Sequence, residues 1–194
     1  MKKQRDKMFT KRKLLLFLGG LVLFFLAFST HTVQITDSVN IETAYAFGAF
    51  FAVLLGPIYG LLIGVIGHTA SDIILYGEVS IGWVIASGLS LFFIGLSGKI
   101  IKIEEQRFGL KQGLIFNVVQ AFSFFISFYV VAGFFDVVVF LQDPVVTYSD
   151  TSLAVLLDIL STGFLGTVAL KLYNFVYIGD SFKKKSKSAS KQAS

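Results

Sequence analysis

The chain is 194 residues long and 55% hydrophobic, with a mean hydropathy of +0.76 and only 15% charged residues. A soluble domain of this size has too few charges to cover so much apolar surface, which excludes an ordinary globular enzyme or binding module. The net charge of +5 sits beside apolar runs, so it points to a membrane surface and not to nucleic acid, and the absence of Cys excludes disulfides and thiolate metal sites.

Residues 1–13 form a basic arm, followed by a nearly continuous apolar run, Leu14–Ser29. A basic segment before an apolar one is also the pattern of a signal peptide. Ser29-Thr30-His31-Thr32 offers no clear small-x-small cleavage site, and more apolar runs follow, so the segment reads as a first membrane helix. The polar stretch His31–Glu42 leads to a second apolar segment, Thr43–Leu55, which stops at Gly56-Pro57. It is short for a span of ~20 residues, so its helix is tilted or begins as early as Asn40. The third, Ile58–Tyr76, carries Gly60-x-x-x-Gly64, a spacing that lets membrane helices approach closely. The fourth, fifth and sixth are Ile81–Ile101, Gly113–Phe135 and Ser152–Tyr177. The expected fold is therefore all-α and integral to the membrane, with six transmembrane helices over residues 14–178. The Lys/Ser-rich tail, residues 179–194, reads as disordered.

Orientation follows from the 17 Lys and Arg residues. Seven lie in the arm, four in the Lys99–Lys111 loop and five in the tail, and Lys171 is near the end of the last helix. The connections His31–Glu42, Gly77–Ser80 and Asp136–Asp150 have none. Only an even number of spans puts every basic segment on one face, and the positive-inside rule makes that face, with both termini, cytoplasmic.

Most acids then fall on the outer side, and those at helix depth need a partner, a cavity or a task. Asn40 and Glu42 open the second helix, where they suit a cap and the positive end of the helix dipole as well as a binding role; Tyr45 follows as an anchor or a ligand contact. His68 and Asp72, four apart on one face of the third helix, make either a hydrogen bond between helices or the polar wall of a pocket. One His and one carboxylate are too few for a metal site, so none is expected. Tyr76 and Trp83 flank the second outer connection, at the level of belt aromatics and of groups that stack a planar ring. Asn117 and Gln120 read as hydrogen bonds between helices, and the Phe-rich fifth helix as packing and lipid-facing surface.

Glu42-Thr-Ala-Tyr-Ala-Phe, Gly56-Pro57, Gly60-x-x-x-Gly64-x-x-Gly67-His68-x-x-x-Asp72 and Trp83-Val-Ile-Ala-Ser-Gly88 together cover about a quarter of the chain. This run resembles the substrate-binding S components of energy-coupling factor (ECF) transporters, in the riboflavin-type branch that is similar to cobalamin-specific S components. The resemblance implies a bacterial cell-membrane protein that captures a vitamin from outside. It delivers the vitamin by toppling within a complex of a transmembrane coupling protein and two cytoplasmic ATPases. It implies no cofactor of the chain's own. Cobalamin is the first expectation for the ligand; riboflavin, haem and a methionine-related precursor are the alternatives. Related S components dock through an Ala-x-x-x-Ala pattern in the first helix; here Gly19, Gly20 and Ala27 are the small residues available. The competing class is a membrane-embedded enzyme using His68 and Asp72, though no Ser nucleophile stands beside them in a recognisable motif.

Overall fold

A computed structural model describes residues 2–30, 33–35 and 39–192, with side chains for 11–30, 35 and 39–178. Part of the first outer connection, including Asp37, lies outside the described residues. Six helices follow one another: α1 (Lys2–Ser29), α2 (Ala44–Leu55), α3 (Pro57–Leu75), α4 (Ile81–Ile101), α5 (Leu110–Phe124) and α6 (Pro144–Gln192). Beyond Phe124 the α5 helix continues in two π-helical stretches, Phe125–Ala132 and Phe135–Val139. A short antiparallel pair, β1 (Val33–Gln34) and β2 (Asn40–Ile41), lies between α1 and α2.

Three helices, α1, α5 and α6, are longer than the apolar segments that announced them. α1 and α6 run through the basic arm and into the tail that composition reads as disordered. Lys, Arg, Gln and Ala are good helix formers, and no Pro interrupts either extension, so the helical ladder need not stop where hydrophobicity does. Five helices are long and apolar enough to cross a membrane; α2 is the exception. Its 12 residues reach about 18 Å, against about 28 Å for the 19 residues of α3. The turn between them is tight because Gly56 takes φ +100 and Pro57 starts α3 at a position where its missing N–H costs nothing. With their other ends level at that turn, the start of α2 is recessed by roughly 10 Å below the end of α3.

The core is aromatic and aliphatic: Phe24, Ala49, Ile63, Leu91, Ile94, Phe116 and Phe124 are fully buried. The Gly60-x-x-x-Gly64 face packs directly on the α4 backbone. A Cβ at Gly60 would stand 2.4 Å from the Leu91 carbonyl oxygen, and one at Gly64 2.5 Å from that of Ser87. Any larger residue would push α3 off α4 and carry His68 away from Ser87. On the far side, Asn117 donates to Thr167 and Gln120 to the Ile159 carbonyl, which joins α5 to α6 as expected. The Phe residues of the fifth helix divide: Phe116, Phe124 and Phe128 are core, whereas Phe122, Phe125 and Phe134 face outward.

Candidate functional site

The recessed start of α2 leaves a space that the neighbouring helices do not fill. It is a cavity of about 240 Å³, and its walls come from five elements. Asn40, Glu42 and Tyr45 enter from the β2–α2 segment; His68, Asp72 and Tyr76 from the end of α3; Ser80 and Trp83 from the start of α4. Every outer-side residue singled out from the sequence is therefore at one cavity. Phe28 of α1 and Ala154 and Asp158 of α6 complete the wall.

Below the cavity a polar chain fixes three of these side chains. The Tyr45 hydroxyl lies 2.8 Å from Ser87 Oγ, and Ser87 Oγ lies 2.5 Å from His68 Nδ1. His68 Nε2 faces Asp72 Oδ1 at 3.3 Å, and Asp72 Oδ2 accepts the Ser80 backbone N–H at 2.9 Å, at the start of α4. With Asp72 ionised, Nε2 would carry the hydrogen and Nδ1 would accept from Ser87, which in turn would accept from Tyr45. All four groups are buried, and each has a partner. The ring of Tyr45 is held edge-on by Phe24, Phe28, Phe124 and Phe128, with centroids 5.4–6.4 Å away. Trp83 packs on Phe128 and donates its indole N–H to Asp136 Oδ2 at 2.9 Å.

Asp158 differs from these. It is only 4% exposed, and its Oδ1 has no hydrogen-bond partner. Ser161, one turn further along α6, donates to the Glu42 backbone carbonyl at 3.2 Å, which holds α6 against the β2–α2 segment. Burial lifts the Glu42 carboxyl to about 7, into the range where it titrates near neutrality. Glu42, Asp72 and Asp158 thus give the cavity three carboxyl groups, and no Lys or Arg stands among its described lining residues. No three His, Asp or Glu residues among the described ones converge as a metal site. The arrangement can hold hydrogen-bond donors and positive charge.

Sequence reasoning missed Ser87, and it read Asp136 and Asp158 as outer-side acids without assigning them to a site. A lone Asp in an apolar helix was the available signal for Asp158. Ser87 had none, since a Ser in a membrane helix ordinarily bonds its own backbone. The small residues of α1 are also divided: Gly20 abuts Phe51 and Ile63, Ala27 belongs to the core, and only Gly19 has open space around it.

Comparison with known proteins agrees with this architecture. The family model described as ECF-type riboflavin transporter, S component, matches residues 18–174. A UPF0397 protein of Clostridium perfringens is 37% identical over 136 residues, covering 70% of this chain and 74% of that protein. UPF0397 proteins of Lactobacillus acidophilus (33% identical) and of Onion yellows phytoplasma (36% identical) each align over 80% of this chain and 84% of their own length. The six-helix, multi-pass membrane chain belongs to the family of ECF-type riboflavin transporter S components, which are subunits of a transporter.

Proposed function

We propose that this chain is the substrate-binding component of an ATP-driven importer in the bacterial cell membrane, capturing a vitamin or cofactor precursor from outside. The observation that carries the reading is the polar cavity at the acidic end of the bundle, lined by Asn40, Glu42, Tyr45, His68, Asp72 and Asp158. Its end lacks Lys and Arg, so the positive-inside rule puts its mouth outside and both chain termini in the cytoplasm. Energy comes from a transmembrane coupling protein and two ATPases, since the chain has no phosphate-binding Gly loop of its own. Gly19 and the exposed residues beside it are the docking face left on α1.

The cavity volume supports a small ligand. About 240 Å³ lies below the roughly 300–1,000 Å³ of clefts for drug-sized molecules, and cobalamin and haem are larger still. A methionine-related or similarly compact precursor suits the space better than either macrocycle, with riboflavin between them. Protein purified from cells grown in rich medium is expected to lack corrinoid and haem absorption bands; a stoichiometric corrinoid band would restore cobalamin as the ligand.

Two further measurements test the class. Affinity purification from the native membrane should bring down two ATPases and a coupling protein, whereas concentrative uptake by this chain alone in vesicles without ATP would contradict the proposal. The chain has no Cys, so single cysteines at Gln106 and Ser149 report sidedness without background. An impermeant thiol reagent on intact cells should label the Ser149 site and spare the Gln106 site; labelling of both ends the topology.

A further inference from the structure

We infer that the ligand presents a positively charged N–H donor, and that this group pairs with Asp158 between the aromatic walls of the cavity. The inference rests on the capture reading above and adds the chemical class of what is captured. Its starting point is an asymmetry among the cavity carboxylates. Asp72 is committed on both oxygens, to His68 and to the Ser80 backbone. Asp158 is only 4% exposed, and its Oδ1 meets no donor.

A buried carboxylate without a donor or counter-charge is among the most expensive arrangements a membrane protein can hold, and it is retained where a partner arrives from elsewhere. Among the described residues no Lys or Arg lines the cavity, and His68 has both ring nitrogens engaged. The rest of the lining has the same preference. Phe28, Tyr76 and Trp83 line the same space, and a cation beside aromatic rings is favoured where water is excluded. An anionic ligand would instead meet three carboxyl groups with no positive group to offset them.

Trp83 is the only tryptophan of the chain and lies in the cavity wall, so its fluorescence reports occupancy directly. The probes are phenethylamine, phenethyl alcohol and phenylacetate, which share size and ring and differ in charge. Titrated into the purified full chain, the amine should shift Trp83 emission at a concentration at least ~10-fold below the alcohol, and phenylacetate should have no effect. In Asp158→Asn the amine should lose its advantage over the alcohol, and the melting temperature should stay level or rise. Should that variant fail to fold, the charge series in the unaltered protein still decides the matter. Tighter binding of the alcohol or of phenylacetate than of the amine overturns the ligand class and leaves the capture site standing. No response to any of the three overturns both.

Discussion

The two ends of this bundle treat their polar groups in opposite ways. At the basic end, Arg12 of α1 reaches Glu104 in the α4–α5 connection, and Tyr173 of α6 bonds to the same carboxylate. Burial there would by itself raise the Glu104 carboxyl, but its bonds to Arg12 and Tyr173 hold it below the usual range. Nearby, buried Asn174 donates to the Ile103 and Gln106 carbonyls and accepts the Phe108 N–H, so one side chain closes a whole loop onto α6. At the acidic end the backbone is recessed, a cavity opens, and Asp158 is left with an oxygen unmet. Polar groups that satisfy one another hold a structure together; polar groups arranged around a space are set for something else.

Substitutions can break or sharpen that contrast. The largest effect is expected at the satisfied end. Asn174→Ala removes three hydrogen bonds and leaves their backbone partners buried, at about 1 kcal/mol each, so a loss of about 3 kcal/mol in stability should appear as a lower melting temperature. Ligand affinity of the folded fraction should not change. If affinity fell while stability held, the two ends would not be separable.

At the cavity the order should reverse. His68→Ala or Asp72→Ala leaves a buried partner unmet, costing about 1–3 kcal/mol, or roughly fivefold to a hundredfold in ligand affinity, with the solubilised protein still folded. Normal binding by both variants, or failure of both to fold, would make the His68–Asp72 pair a structural tie like those at the other end.

A pH titration makes a finer distinction. Glu42 titrates at about 7, so above that pH it is a carboxylate that attracts a cation, and below it binding must first expel a proton. Affinity for a positively charged probe should therefore fall on acidification from pH 8 to 6, by up to about tenfold per unit below the midpoint. Glu42→Gln should flatten the profile. A profile that is unaltered in the variant would assign the dependence to another group.

The smallest effect is expected from the ion pair that looks strongest. Arg12 and Glu104 keep 41% and 30% of their side chains exposed, so solvent screens the pair, and Arg12→Ala should cost about 1 kcal/mol or less. A larger loss, measured by thermal denaturation, would show that Tyr173 and Glu104 depend on Arg12 for their own placement.

Much of the fold was legible because a bilayer permits so little else. Apolar runs long enough to cross it have to be helices, and the alternation of bare and basic connections divides the chain into two faces. The pair His68 and Asp72 was legible from its spacing of four, and the shortness of the second segment was visible as well. What that shortness does was not: only the placement of α2 beside α3 turns about two missing turns into a cavity. Hydropathy marks where a helix is apolar and not where it ends, so α1, α5 and α6 all exceed their apolar limits. Asp158 stood out as an acid in an apolar helix, yet nothing in a helix of 49 residues fixes its depth or its facing. The π-helical turns of the fifth helix, which bring Asp136 to Trp83, have no signature in the sequence.

The aromatic cage around Tyr45 has one more implication. Phe24, Phe124 and Phe128 are fully or almost fully buried directly beneath the cavity, and Ile63, Leu91 and Ile94 are sealed behind them. Among the described residues, the inner side of the site is therefore closed by a tightly packed layer. Passage onward through the bundle would require dismantling its best-packed layer, at several kcal/mol for each large side chain displaced. For the capture role proposed above, unloading on the opposite side would then mean turning the whole site, not boring a tunnel.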